Sequence, residues 1–398
     1  MNLFYASFIP GLQNIIADAI KDRLGSGVKI LKLLDGAVLF ETETSYDKLN
    51  FFCFNNIFAV INVINEQRAY SLVALEKHIE VIINIKPRSF TEKKVFELKT
   101  PCNSAVYLNP LFNNSKSFNT FRVVISNENK PASIDEKFRL AAEDAISRLS
   151  GLKVNRVLPD TEFWFLYRRE GGKDKIADNK IQYKKNKNAK EMSFSVFMKR
   201  LTIHASREKS LHKGELPPPL AWAMCRLAGL AQSDTVLDPF CGYGSIPYAA
   251  LKHFHITKFI ACDKTKEAAD YAAARFKKRK NSGIIFHKSD FSGIFSFVEE
   301  KSIDAIITDP PWGYYQINDD AFLVNMFKNF GRLLKDGGRA VVLYANDCNF
   351  LKDAPDCFEL QEKIPILLSG RKAIIYKFIL KGSLARTNKP ERQSDILI

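Results

Sequence analysis

The residues best suited to chemistry fall in two short motifs. The first is VLDPFCGYGSI, Val236 to Ile246. A short apolar run delivers Asp238, then Pro239, Phe240 and Cys241, and Gly242 and Gly244 precede Ser245, where a helical pattern starts. Glycine permits positive φ and close backbone approach. A helix N-terminus presents free amides to a carboxylate or a phosphate. Pro247 stands where a dinucleotide fingerprint needs its third glycine, and no Gly-Lys-Ser/Thr follows, so neither that fingerprint nor a P-loop is present. Asp263 closes the next apolar run, 21 residues after Gly242, where an acid can accept hydrogen bonds from both ribose hydroxyls. Asp290 closes the run after that, in FHKSDF, where it could take a hydrogen bond from an adenine amine. A single strand-end aspartate more often caps the following helix. Three of them, with the glycine loop beside the first, describe an adenosine site for a ligand with a charged tail and no need of phosphate.

The second motif is IITDPPWGYY, Ile306 to Tyr315, in which Asp309, Pro310, Pro311 and Trp312 follow another apolar run. Two prolines fix the backbone, so the Pro310 carbonyl points in a set direction. The arrangement suits methylation of a planar exocyclic amine, whose lone pair is delocalised into the ring. Asp309 and the Pro310 carbonyl can accept its two N–H bonds and favour an sp³-like nitrogen. Trp312 offers a stacking face, worth roughly 1–3 kcal/mol per base. Asp-Pro-Pro alone leaves a proline turn equally open. Asp-Pro-Pro-Trp at a strand end, 71 residues after Asp238, is more specific.

The elements that must hold these motifs alternate. From His212 to about Lys381, strands TVLDPF, KFIACD, GIIFHKSD, IDAIITD and RAVVLYAN are interleaved with helical patterns at Ser245–Phe254, Lys266–Lys280 and Asp319–Gly338. Strand–helix repetition predicts a parallel sheet with right-handed crossovers. KIPILLSG and KAIIYKFIL flank Gly370-Arg371 and read as a closing antiparallel hairpin. Earlier, Leu3–Pro10, Thr120–Ser126 and Glu162–Glu170 read as strands, Leu12–Leu24 and Asp135–Leu149 as helices, and Lys29–Thr42 as a hairpin turning at Asp35-Gly36. That mixture predicts α+β layers. Gly171 to Lys190 is polar and reads as a linker, with strand-like Ser193–Ala205 after it.

Composition sets the outer bounds. The chain has 398 residues, 46% hydrophobic and 26% charged, which excludes a wholly disordered or collagen-like chain. Lys and Arg number 59 against 44 acids, a net of +15, and +8 of that falls between Thr161 and Lys213, where 14 basic residues face 6 acidic ones. Such a belt favours a polyanion, most simply nucleic acid, though solvated lysines that only aid solubility would look the same. No run reaches the ~18 uncharged apolar residues of a membrane span. The opening residues lack a basic stretch, so no signal peptide is expected and the cytoplasm is the expected compartment. The seven cysteines form no Cys-x-x-Cys pair and the histidines no His-Glu-x-x-His, so no metal site is expected. His253 and His255 lack a third ligand, and the Lys277–Lys280 run suits a helix end as well as a phosphate. Pro101-Cys102 lies outside the sheet pattern and reads as a turn. Phe163, Trp164, Phe165 and Tyr167 alternate as a strand does, which puts one set in a core.

DPFCGYGS followed by DPPW resembles the class I S-adenosylmethionine-dependent amino-methyltransferases. With GELPPPLAWAMCRLAGL (Gly214–Leu230) and LLSGRKAIIYKFIL, the chain resembles the THUMP-domain RNA methyltransferases that modify the N2 amine of guanine in tRNA. The likeness is strongest from His212 to Leu380, while TFRVVIS and PDTEFWFLYRRE look like a ferredoxin-like segment and a THUMP module. It implies a Rossmann-like α/β methyltransferase sheet preceded by an α+β RNA-binding region. The implied boundaries are a ferredoxin-like segment over 1–60, a THUMP-like module over 61–170, a basic linker over 171–211, the methyltransferase domain over 212–382 and a polar tail over 383–398. Carried over by motif, Asp238, Pro239, Phe240, Cys241, Gly242, Gly244 and Ser245 would line the methionine part of S-adenosylmethionine. Asp263 would hold the ribose, Asp290 the adenine, and Asp309 to Trp312 the target amine. Tyr243 and Ile246 stand where many relatives have Ser and Thr, and Trp312 where Tyr is common in the guanine enzymes. The residues leave open methylation of adenine N6 or cytosine N4 in DNA or RNA, ribosomal RNA as substrate, or an RNA-binding protein with a relic methyltransferase fold. No protein partner is indicated.

Overall fold

The computed structural model describes residues 1–46, 49, 51–66, 77–80, 118–128, 130–133, 135–169, 193–202, 212, 214–277, 283–312, 322–345, 350–368 and 370–382. The polar stretch 171–190, Pro101-Cys102, Tyr315, residues 278–280 of the basic run and the tail 383–398 lie outside these residues. The chain divides into two compact units, Met1–Ser210 and Leu211–Ile398.

In the first unit, strand β1 (Asn2–Ser7) leads to helix α1 (Gln13–Leu24) and the hairpin β2 (Lys29–Leu34) and β3 (Ala37–Thr42). Gly36 turns that hairpin at φ +76°, as the Asp-Gly pair requires. Strands β4 (Asn56–Glu66), β5 (Thr120–Asn127) and β6 (Lys130–Pro131) follow, then helix α2 (Glu136–Ser150) and strands β7 (Lys153–Val154), β8 (Thr161–Arg169) and β9 (Ser193–Arg200). They form one sheet in the order β2-β3-β1-β4-β9-β8-β5-β6, with β7 also on β5. Asp135 caps α2 by accepting the Lys137 amide at 2.9 Å, and Gly151 ends it in the left-handed region. The helix packs Ala142, Ala145, Ile146 and Leu149 onto Phe121, Phe163, Phe165 and Phe197, so the aromatic strand supplies core. Two expectations change here. Ser193–Arg200 is the strand that its apolar residues predicted, yet it belongs to the sheet between β4 and β8 and not to a linker spanning 171–211. Apolar residues within a basic stretch decide it: Phe194, Val196, Phe197 and Met198 bury while the net charge of the segment says nothing. The boundary at residue 60 falls inside β4, which joins β1 to β9 in continuous pairing.

In the second unit, helix α3 (Pro218–Ala228) precedes strand β10 (Thr235–Asp238), helix α4 (Ser245–His253), strand β11 (Lys258–Asp263), helix α5 (Lys266–Lys277) and strand β12 (Ile284–Lys288). Strand β13 (Ile303–Thr308), helix α6 (Phe322–Leu333) and strands β14 (Leu334–Ala345), β15 (Phe358–Leu368) and β16 (Arg371–Leu380) complete it. The sheet order is β12-β11-β10-β13-β14-β16-β15. The first five strands pair in parallel and β16 antiparallel to β14 and β15. The α6 pattern was expected to continue to Gly338; instead the helix stops at Leu333 and Leu334 already pairs with Ile303 across a register shift. Leu237, Ile306, Met326, Phe327, Phe330, Val342, Tyr376 and Phe378 are part of its buried core. From β10 the sheet runs one way to β11 and β12, and from β13 it runs the other way. Open α/β sheets bind ligands at such a reversal, beyond the carboxyl ends of the strands. Asp238 and Asp309 stand on its two sides.

Candidate functional site

The tips of β10, β11, β12 and β13 surround one cavity of about 510 Å³. Asp238, Pro239, Phe240, Cys241, Gly242, Ser245, Asp263, Asp290, Asp309 and Pro311 line it. Gly244, Pro310 and Trp312 are absent from its wall. Gly244 has φ +81°, and a Cβ there would meet the Ala272 Cβ at 3.1 Å. It is glycine so that α5 can approach the loop. Gly242 has φ +49° and open space where a Cβ would stand. Of the two glycines, only Gly242 keeps the cavity clear.

Asp238 is buried, at 1% exposure. Its Oδ1 accepts the Thr308 hydroxyl at 2.7 Å and the Phe240 amide at 3.2 Å, which ties β10 to β13. Its Oδ2 is buried with no hydrogen-bond partner among the described residues. Desolvation pushes the carboxyl up to about 8, against the two hydrogen bonds, and the charges of Asp263 and Asp309 push the same way. Asp263 is anchored differently. Its Oδ2 accepts the Gly242 amide and its Oδ1 the Thr265 amide, both at 2.8 Å. Asp290 accepts the Ser292 amide at 2.9 Å and caps the short 3₁₀ turn Phe291–Ser296. That bond holds its carboxyl below the usual range. The capping role therefore coexists with a place on the cavity wall. Phe240 packs against Phe291 at 5.1 Å and against Phe322 at 5.9 Å, giving the cavity an aromatic side.

Asp309 closes the opposite side. Desolvation pushes its carboxyl up to about 7, and a hydrogen bond from Trp312 offsets part of that rise. The Trp312 indole Nε1–H donates to Asp309 Oδ1 at 2.8 Å. The expected stacking face is thus turned to another use: the ring packs against the core cluster that includes Met326 and Tyr344, and its N–H holds the acid.

Sequence reasoning missed several cavity residues. Glu215, in the segment before α3, is almost buried and lines the wall. It accepts Arg275 at 3.1 Å, the Ser245 hydroxyl at 3.4 Å and the His212 amide at 3.1 Å. Arg275 in turn donates to the Tyr243 carbonyl at 3.3 Å and covers the Tyr248 ring at 4.3 Å. Tyr243 stacks on the His212 ring at 4.4 Å. Phe322, Asn325, Met326 and Asn329 reach the cavity from α6. Two asparagines four apart on a largely apolar helix were the available signal, since they share one face.

Residues 206–363 match the UPF0020 family, described as RMKL-like, methyltransferase domain. The chain carries an RMKL-like methyltransferase domain. A tRNA (guanine(10)-N2)-dimethyltransferase of Methanocaldococcus jannaschii is 30% identical over 141 residues, which cover 34% of this chain and 39% of that protein. A U6 snRNA (guanine-N(2))-methyltransferase THUMPD2 of Bos taurus is 28% identical over 131 residues, 32% of this chain and 25% of that protein. The chain thus spans well under half the length of either curated relative. The crystal structure of TrmN from Thermus thermophilus superimposes with a TM-score of 0.69 at 17% identity, covering 96% of this chain and all of that one. That likeness extends the shared fold beyond the methyltransferase domain to both units. Among the described residues, no helix is long and apolar enough to cross a membrane.

Proposed function

We propose that the methyltransferase domain transfers a methyl group from S-adenosylmethionine to the exocyclic N2 amine of a guanosine in RNA, with tRNA as the substrate. One observation carries the reading: Asp309, the glycine loop and Asp263 line the same cavity, so an amine acceptor and an adenosyl site share one space. The residues present fit that cofactor. The unpartnered Asp238 Oδ2 suits the ammonium of an amino-acid tail, and the α4 amides, which no side chain caps, suit its carboxylate. Asp263 is held rigid by two backbone amides and suits a ribose diol. Asp290, with the ring of Phe291 beside it, suits an adenine.

S-adenosylmethionine, when bound, supplies an electrophilic methyl carbon on a positively charged sulfur. The chain's own groups then hold the amine. Asp309 Oδ2 accepts one of its N–H bonds and directs the nitrogen toward the cavity, whose wall includes Asp309 but not Pro310, the second acceptor expected from the motif. A methyl group passing to the amine would break its bond to sulfur and leave a neutral thioether, and the nitrogen would then have to lose a proton. A carboxyl titrating near 7 can take it at neutral pH and return it to water. Positioning supplies much of the acceleration in such a displacement. The basic excess and the N-terminal α+β unit, read as ferredoxin-like and THUMP-like, would grip the phosphates, so binding should weaken steeply with salt. Guanine N2 is the atom named for both curated relatives, and tRNA is named for the archaeal one.

The test is to incubate the protein with labelled methyl donor and unmodified total tRNA and to identify the labelled nucleoside. N2-methylguanosine is expected, and Asp309→Ala should abolish it while leaving RNA binding nearly intact. N6-methyladenosine would reject the base assignment. Label appearing only in small nuclear or ribosomal RNA would reject tRNA.

A further inference from the structure

We infer that Trp312 is a positioning residue: its indole N–H claims one oxygen of Asp309, fixes the rotation of that carboxyl and leaves Oδ2 as the acceptor for the target amine. The inference rests on the amine-acceptor role proposed above for Asp309. A carboxyl on a freely rotating bond offers two equivalent oxygens and no fixed direction. The 2.8 Å bond from Trp312 removes that freedom. Two prolines between the partners hold the i to i+3 geometry, because each fixes its own φ. Indole is a donor only, so it binds the carboxylate without competing for the amine's protons. A phenylalanine at this position would keep the ring and lose the donor. The ring itself packs against the core cluster and is absent from the cavity wall, whereas the neighbouring Pro311 is part of it.

The bond also sets when the acceptor is charged. Asp309 is desolvated, and the Trp312 donor is what favours its ionised form. The other groups facing it act in the opposite sense. Asp238, at the tip of β10, interacts with Asp309 as a like charge, and Asp263 lies beyond it on β11. From α6 the described residues that reach the cavity, Phe322, Asn325, Met326 and Asn329, are all uncharged. Removing the donor therefore moves ionisation of Asp309 to higher pH. A hydrogen bond to a charged group is worth about one pH unit or somewhat more, hence about a tenfold rate effect below the midpoint.

The experiment has two arms on the full chain. In wild type, the Trp312 indole ¹H–¹⁵N cross-peak, assigned by its loss in Trp312→Phe, should titrate with a midpoint near 7. The Trp164 indole, which donates to Glu162 at 2.9 Å, should stay flat there because Glu162 is held below the usual carboxylate range. This arm is read in wild type and needs no methylation. In the second arm, Trp312→Phe should methylate about tenfold more slowly than wild type at pH 6, approach wild type by pH 9, and keep its KM for tRNA. A Trp312 peak that does not move between pH 5 and 9 overturns the inference. So does a rate loss equal at every pH with a raised KM, the signature of a base-stacking face. If wild type methylates nothing, the proposed function fails, and the cross-peak still decides whether Trp312 reports the ionisation of Asp309.

Discussion

Replacing Asp238 by Asn should stabilise the free protein at alkaline pH while abolishing cofactor binding. Asp238 is almost fully buried, and its carboxyl is pushed from 3.8 up to about 8. The sign follows from linkage. A carboxyl whose folded value is raised keeps its proton when the unfolded chain has lost it. Folding is then unhindered below about pH 4, and stability drains away as pH rises from there to about 8. At about 1.36 kcal/mol per unit, the roughly four-unit gap sets a ceiling of ~5–6 kcal/mol. Relaxation and water entry lower the real penalty of such a buried ion to a few kcal/mol. Asn keeps Oδ1 for the Thr308 hydroxyl and the Phe240 amide. Its Nδ2 replaces the unpartnered Oδ2, and an unsatisfied buried N–H costs about 1–3 kcal/mol. The difference leaves Asn ahead by about 2 kcal/mol at pH 8.5, or roughly 4–8 °C in Tm for a unit of this size. Trp222 and Trp312 report the C-terminal unit by fluorescence in a Trp164→Phe background. The gap between variant and wild type should widen from pH 5 to pH 8. Affinity for S-adenosylhomocysteine should fall about a hundredfold or more, because an amide N–H would face the ammonium. An Asn variant that melts below wild type at pH 8.5, or a gap that ignores pH, would refute the argument.

Binding of S-adenosylhomocysteine should release protons near pH 7, since an ammonium beside Asp238 favours its ionised form and lowers a carboxyl now at about 8. Calorimetry in buffers of different ionisation enthalpy measures this, and a zero slope would count against the pairing. Gly244→Ala should cost about 2–3 kcal/mol of stability, from its left-handed backbone and the 3.1 Å contact with Ala272. Gly242→Ala should cost only the backbone share, about 1–2 kcal/mol, yet weaken S-adenosylhomocysteine about tenfold, since its methyl stands in open space at the cavity wall. Equal effects of the two on binding would contradict the division of labour between the glycines. Glu215→Gln should raise the KM for the methyl donor more than it lowers kcat, because it loosens the Arg275 and Ser245 contacts that shape the loop.

The sheet carrying the site was legible because its strands are short apolar runs separated by helical periodicity, and because a parallel sheet leaves no other way to connect them. The three strand-end acids and the glycine loop followed at once. The N-terminal sheet was harder to read. β4, with its sequence NIFAVINVINE, and β9, at the edge of a lysine-rich stretch, are central strands whose partners lie far off in sequence. Asn62 and Asn65 break the apolar run of β4, and β9 was legible as a strand but not as part of the N-terminal sheet. Local pattern cannot reveal which strands pair when the partners are as distant as Phe58 with Arg200 and Glu66 with Ser193.

The motif residues themselves did not divide their roles as their order suggests. Gly242 and Gly244 are two residues apart, yet one faces the cavity and the other a helix 28 residues further on, at Ala272. Trp312 was legible as an aromatic beside an acid, but only coordinates show that its polar edge is the part in use. Glu215 was invisible for a related reason. It precedes a proline-rich helix start and looks like an ordinary surface acid, and its partner Arg275 lies 60 residues away on α5. A buried ion pair of that kind adds little net stability over an apolar pair. What it does here is geometric: Glu215 receives Ser245, Arg275 holds the Tyr243 carbonyl, and between them the loop is fixed from both sides. The cavity is thus lined by four strand-tip carboxyls, Asp238, Asp263, Asp290 and Asp309, while Glu215, paired with Arg275, sets the shape of the loop. A fold optimised for stability alone would not gather four carboxyls around one cavity, and a cationic ligand is what would relieve that cluster.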